Sequence, residues 1–189
     1  MNENQQPNWV SSWVWGLFLS LLSVNGLSAK ATARLLAEDN SKWGVVRVEE
    51  RQGKRYLLID GVVQGAQPLN ASSSLPSIGD PLVQLLDAGS PAEPNRQTVL
   101  LIGLGTGNTA TQLQRSKRKL AVVEINPTVI AFARKYFGYR GPITTGDGAA
   151  HFRQVPDIRY DAIVVDALTA KQLPSALISD HFIRRSLYA

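Results

Sequence analysis

The sequence predicts an α/β fold in which a parallel sheet with helical crossovers follows a small antiparallel β-element. Three observations predict it. Residues 43–60 alternate polar and apolar side chains around turn-forming pairs, as a half-buried hairpin requires. From Thr98 onward the alternation gives way to short continuous apolar runs (TVLLI, LAVVE, AIVV), the signature of strands buried on both faces. Between those runs lie segments with helical apolar spacing, and that alternation means βαβ units with right-handed crossovers.

In chain order, residues 31–38 read as a short helical or irregular connector. Residues 43–50 (WGVVRVEE) and 54–60 (KRYLLID) form a hairpin around Arg51-Gln52-Gly53, and Val62-Val63-Gln64 begin a third strand after the Asp60-Gly61 turn. Residues 68–79 are rich in Ser, Pro and Gly and read as a loop; 81–88 form a short helix, and 90–95 a second loop. The α/β part then runs strand 98–102, glycine loop, helix 108–115, strand 120–124 and helix 127–137, whose Pro127 suits a first helical position. Strand 143–145 ends in Gly146-Asp147-Gly148, a helix follows at 149–154, residues 160–166 are the fourth strand, and a last helix starts near Leu177. The expected division is 1–34 as an apolar segment, 41–70 as a small β-domain, 71–97 as a linker with a short helix, and 98–189 as a Rossmann-like domain that is short for its fold.

Composition narrows the function classes. With 189 residues, 44% of them hydrophobic, the chain can bury a real core. It has no cysteine, which excludes disulfides and thiolate metal sites, and only two histidines, His151 and His181, both expected on helices as surface or packing residues. No metal site is expected. The net charge of +5 is spread out apart from Arg115, Lys117, Arg118 and Lys119, which read as a solvated helix end, so no nucleic-acid partner is expected.

Residues 9–24 (WVSSWVWGLFLSLLSV) are almost uninterrupted apolar sequence. Three readings compete. A membrane anchor is favoured, with Trp9, Trp13 and Trp15 at the interface and Lys30 and Arg34 on the cytoplasmic side, beside the folded domain. A cleaved export signal would use Ala29-Lys30-Ala31 or Ala31-Thr32-Ala33, but no basic residue precedes the apolar run. The third is an apolar helix packed on the domain or a partner.

The chemistry-bearing residues cluster at strand ends. Gly103-Leu104-Gly105-Thr106-Gly107 separates a buried strand from a helix, where glycines let the backbone approach a ligand beside free N–H groups. The spacing is G-x-G-x-G and not the dinucleotide G-x-G-x-x-G, which disfavours an NAD-dependent reductase. Glu124 ends the next strand, where a carboxylate accepts from ribose hydroxyls; Asp147 ends the third, suited to an adenine amino group; Asp166 ends the fourth. Each acid alone has a structural explanation, in an ion pair, a turn or a cap, but all share the carboxyl edge of one sheet.

Taken together, the runs LLIDGVVQ, TVLLIGLGTG, VVEINPTVIAFARKYF, GDGAAHF and YDAIVVDAL resemble the spermidine synthase (aminopropyltransferase) family, especially bacterial members fused to membrane segments. The similarity covers roughly residues 43–182. It implies an S-adenosylmethionine-dependent methyltransferase-type Rossmann fold behind a small β-domain. It implies that Gly103, Gly105, Thr106 and Gly107 line the methionine-derived part of S-adenosylmethionine or its decarboxylated form. Glu124 would hold the ribose, Asp147 and Gly148 the adenine, Gln64 the cofactor from the β-domain, and Asp166 the reaction centre as the catalytic residue. The implied reaction is aminopropyl transfer to a small amine such as putrescine, and a homo-oligomer is open. Three positions depart from the family: Thr106 and Thr169 stand where it has acids, and the region of Ser73 and Ser74 replaces a Tyr-His pair; Lys171 stands where the fused proteins often have an acid. Methyl transfer from S-adenosylmethionine, or a shortened non-catalytic binding protein, are the alternatives.

Overall fold

In chain order, strands β1 (Arg34–Ser41), β2 (Gly44–Arg51), β3 (Lys54–Ile59) and β4 (Val62–Pro68) pair as an antiparallel meander. The computed structural model describes residues 32–70, 79–89, 94–151, 160–167 and 174–182. Two of the three tight turns place left-handed backbone at both central residues: Gln52 and Gly53 have φ of 50° and 71°, Asp60 and Gly61 of 48° and 79°. Positive φ at both central residues gives the turn twist that matches a right-handed strand pair.

β1 corrects the sequence reading, which took 31–38 as a connector. RLLAEDNS lacks clean alternation because a register shift between Leu35 and Ala37 breaks the period, and pairing with β2 overrides its helical propensity. The antiparallel element therefore begins at Arg34. The remaining strands of this sheet lie where alternation placed them.

Helix α1 (Gly79–Gly89) and a 3-10 turn (Pro94–Arg96) lead into the parallel sheet. Its strands β5 (Thr98–Ile102), β6 (Lys119–Glu124), β7 (Thr144–Thr145) and β8 (Ala162–Val165) are ordered β7-β6-β5-β8, with α2 (Asn108–Arg115) and α3 (Pro127–Tyr136) as crossovers. The chain runs outward from β5 through β6 to β7, then returns to pair β8 on the other side of β5. That reversal opens a crevice at the carboxyl ends of β5 and β8.

β5 is buried on both faces. Val99 and Leu101 pack with Leu113, Val129 and Ala133 of the helices and with Val46, Val48 and Leu57 of the antiparallel sheet. Leu100 and Ile102 pack on the opposite side with Val123, Leu177 and Phe182. The meander is thus docked through a shared core and is not tethered only by a linker.

Polar contacts fix how it docks. Asn126 caps α3 by accepting from Thr128 N (3.0 Å), while its amide donates to Ser41 Oγ (3.0 Å). Thr128 Oγ1 donates to Asp39 Oδ2 (2.6 Å), Asn108 Nδ2 to the Ala66 carbonyl (3.1 Å), and Arg55 to the Tyr136 carbonyl (2.5 Å).

The basic cluster is also corrected. Arg115, Lys117 and Lys119 are exposed, but Arg118 is buried, donating to Gln97 Oε1 (2.8 Å) and to Asp87 of α1. It clamps α1 to the start of β5 and β6; local charge density in the sequence carries no sign of that burial.

Residues 1–31, on which the anchor and signal readings rest, lie outside the described residues, as do 152–159, the body of the helix expected at 149–154. Among the described residues no helix is long and apolar enough to cross a membrane. The last described stretch opens with a 3-10 turn, Ser175–Leu177, and residues beyond 182 are again outside.

If Ser41 and Asn126 share one docking contact, Ser41→Ala and Asn126→Ala should each cost about 1 kcal/mol in urea unfolding. The double variant should then show a coupling of about 0.5 kcal/mol or more. Strict additivity would show that the hairpin docks without them.

Candidate functional site

A cavity of about 760 Å³ opens at the carboxyl edge of the parallel sheet, between that edge and the tips of the antiparallel hairpins. Its size is that of a small-molecule site. The wall combines apolar Ile102, Val123, Ile125 and Leu177 with the acids Asp60, Glu124, Asp147 and Asp166.

Glu124 ends β6 and is buried. Its Oε2 accepts from Leu104 N (2.8 Å) and its Oε1 from Asn126 N (2.9 Å), so one carboxylate ties the glycine loop to the start of α3. Burial pushes its carboxyl above the usual range, against the pull of those backbone donors. Each oxygen keeps a further lone pair, and the residue lines the cavity, an arrangement suited to accepting from two neighbouring hydroxyls.

Gly103 stands where β5 meets the crevice, with φ of 97°. A Cβ there would lie 2.1 Å from the Asp166 carbonyl oxygen, so only glycine lets the loop after β5 pass the end of β8. Asp166 is held in turn by its own N–H, which donates to the Ile102 carbonyl (2.8 Å). Its Oδ2 accepts from Thr109 Oγ1 at 3.3 Å. Burial pushes its carboxyl upward, and the Thr109 hydroxyl pulls it back.

Asp147 is exposed at the rim after β7, with Oδ1 accepting from Ala149 N (2.9 Å), so part of its side chain serves its own turn. Gly148 abuts Ile102 on the cavity wall. Gln64 reaches the cavity from β4 and donates to the Val62 carbonyl (3.3 Å).

Residues 84–188, more than half of the chain, match the spermine/spermidine synthase domain family. The chain belongs to that family. It is 27% identical over 180 residues to spermidine synthase 1 of Pisum sativum, covering 88% of this chain and 52% of that protein. It is 29% identical over 175 residues to putrescine N-methyltransferase 2 of Nicotiana attenuata, covering 86% and 43% respectively. A solved spermidine synthase from Thermotoga maritima shares the fold, with a TM-score of 0.57 at 19% identity over 82% of this chain and 53% of that one. The chain spans about half the length of the curated relatives it matches. Its fold is the methyltransferase-type Rossmann fold with an antiparallel sheet at the N-terminal side.

Of the site residues expected in this spermidine synthase-family domain, Gln64, Gly103, Gly105, Glu124, Asp147, Gly148 and Asp166 meet at one cavity. Thr106 and Gly107 are not part of its lining. Thr106 is buried against Gly65 of β4, and Gly107, with φ of 83°, sits beneath the Tyr139 ring. Both shape the loop from behind. Membership of the same short loop does not by itself bring a residue to the cavity wall; that is set by the loop's contacts with Gly65 and Tyr139.

Ser73, Ser74, Thr169 and Lys171 lie outside the described residues. His151 is a buried packing residue with Nε2 2.7 Å from the Tyr160 hydroxyl, and His181 is exposed; neither lines the cavity. Among the described residues no group of His, Cys, Asp and Glu is placed to hold a metal.

Sequence reasoning missed Lys42, Trp43 and Asp60, which the hairpin tips bring to the cavity, and Ile125 and Asn126 just after β6. Asp60 Oδ1 accepts from Val45 N (2.8 Å), and the Lys42 ammonium lies 4.2 Å from the centre of the Trp43 ring. Ile125 had a usable signal: an apolar residue directly after a strand-ending acid, left exposed.

Two outcomes test this geometry. Gly103→Ala combines a disfavoured φ with a backbone clash and should cost about 3 kcal/mol or more in urea unfolding. The second concerns pH. The native Asp166 carboxyl holds its proton more tightly than in the unfolded chain, so its contribution to stability is full at low pH and is lost as pH rises through the raised native value. Wild-type stability relative to Asp166→Asn should therefore fall as pH is raised from about 4 toward neutrality. A difference independent of pH would contradict the burial of that carboxyl.

Proposed function

We propose that the cleft binds an adenosyl sulfonium, S-adenosylmethionine or its decarboxylated form, and transfers a carbon group from it to a small amine. The observation that carries this reading is the Glu124 carboxylate. It is buried at the end of β6, positioned by two backbone donors, and opens on a cavity whose apolar wall at Ile125 and Val123 suits a nucleobase. Membership of the spermine/spermidine synthase domain family supports it, as do relatives named for spermidine synthesis and putrescine N-methylation.

Bound there, the sulfonium would supply a carbon activated by the adjacent positive sulfur. The chain's part is to hold and orient. Glu124 accepts from the ribose hydroxyls, Asp147 offers its remaining oxygen at the rim for an amino group on the base, and Gln64 closes the site from β4. Asp166 faces the reacting end. An amine attacks carbon only through a free lone pair, so it must be neutral; a carboxylate at Asp166 takes the proton released as the new carbon–nitrogen bond forms and the carbon–sulfur bond breaks. The raised affinity of Asp166 for protons suits it to that role.

Aminopropyl transfer from the decarboxylated form to a diamine such as putrescine is the favoured reaction. Methyl transfer from S-adenosylmethionine is the second reading, and one observation favours it: the glycine loop at the cavity, Gly103-Leu104-Gly105-Thr106-Gly107, contains no acid. A cofactor carboxylate meets no fixed negative charge from that loop.

Calorimetric titration of the chain with each cofactor, followed by product identification with putrescine, tests both. Methylthioadenosine as product would establish aminopropyl transfer, and S-adenosylhomocysteine methyl transfer. Binding of neither by folded protein would overturn the proposal. Glu124→Ala and Asp147→Ala should each weaken nucleoside binding by about 1–3 kcal/mol, the buried Glu124 more than the rim residue Asp147, since ligand donors lose their acceptors.

A further inference from the structure

Thr109 lies in the first turn of α2 and is buried, although no strand-end or loop position marks it. Its hydroxyl donates to Asp166 Oδ2 across the crevice between α2 and the end of β8 (3.3 Å). The other constraints on Asp166 act on its backbone: the N–H donates to the Ile102 carbonyl, and the carbonyl oxygen is packed against Gly103. Among the described residues Thr109 is the one side chain hydrogen-bonded to this carboxylate, and it engages a single oxygen. A carboxylate on a fixed backbone still turns about its last side-chain bond, which has a broad, two-fold preference. A donor on Oδ2 restrains that rotation and leaves Oδ1 for the cavity.

We propose that Thr109 is a positioning residue for the reaction: by donating to Oδ2 its hydroxyl restrains the rotation of the Asp166 carboxylate and favours its charged form while Oδ1 faces the incoming amine. This rests on the reading of Asp166 as the working carboxylate of the cleft.

The surroundings of Asp166 leave that task to Thr109. The ionisable groups that share the cavity are Glu124 from β6, Asp147 from the loop after β7, and Asp60 and Lys42 from the antiparallel sheet. Three of those four are acids, so none of the three supplies a positive charge to favour an ionised Asp166. Lys42 is exposed and sits over the Trp43 ring. α2 brings no ionisable side chain before Arg115 at its far end. Burial also disfavours the charge, leaving the Thr109 hydroxyl as the local group that favours it.

The test compares Thr109→Val, which keeps the shape and deletes the donor, with Thr109→Ala and with Thr109→Ser, which keeps the donor. Carbon-13 NMR of labelled aspartate carboxyls reads the Asp166 titration directly, with Asp166→Asn assigning the signal. Val and Ala should move that titration to higher pH, and Ser should leave it near wild type. The acid limb of kcat/KM, measured with the cofactor that turns over, should move the same way, with a loss of about tenfold at neutral pH in the Val variant that Ser restores. An unchanged titration in folded Val and Ala variants, or a Ser variant that shifts as far as Ala, overturns the proposal. The NMR readout needs no turnover, so absence of product with either cofactor counts against the transferase reading, while the titration still decides the role of Thr109.

Discussion

A single buried carboxylate, that of Glu124, joins the parts of this molecule that must agree for the cleft to exist. It accepts from Leu104 in the loop after β5 and from Asn126 at the start of α3. Without it two backbone donors would be buried without partners, each a loss of about 1–3 kcal/mol. Asn126, set by that bond, caps α3 and reaches Ser41, so the position of the antiparallel hairpin follows from the same anchor. Backbone donors on its two oxygens oppose the cost of burying the charge, and the residue still lines the cavity.

The second constraint is steric. β5 and β8 run side by side and end where the chain order reverses, so the loop leaving β5 must cross the end of β8 at contact distance. Gly103 makes the crossing possible and sets the Asp166 backbone at the crevice floor. The roof belongs to the other sheet. Val46, Val48 and Leu57 bury themselves with the core under β5, and that docking carries Lys42, Trp43 and Asp60 over the opening. The arrangement makes the cleft a product of two sheets, each incomplete as a binding surface.

Legibility in the sequence followed from how local each feature is. β5, β6 and β8 were readable because a strand covered on both faces needs an unbroken apolar run, and Glu124 and Asp166 because they stand at the ends of such runs. β1 was misread because a register shift removes the alternation that would reveal it. Arg118 was misread because its partners, Gln97 and Asp87, are 21 and 31 residues away. Thr109 was passed over for the same reason: a threonine in a helix shows nothing of a carboxylate 57 residues along the chain.

By itself the sequence determined the fold class, the order of the parallel strands with the helices after β5 and β6, the hairpin before them, and the acids that stand at strand ends. These depend on periodicity, turn chemistry and run length, all properties of neighbouring residues. Tertiary structure alone decided that the two sheets share a core, that Thr106 and Gly107 shape the glycine loop from behind, and that Trp43 and Asp60 overlie the cavity. It also decided which hydroxyl reaches Asp166. Such facts depend on which side chains meet after the chain has crossed itself, and long-range contact leaves no periodic trace in the residues that make it.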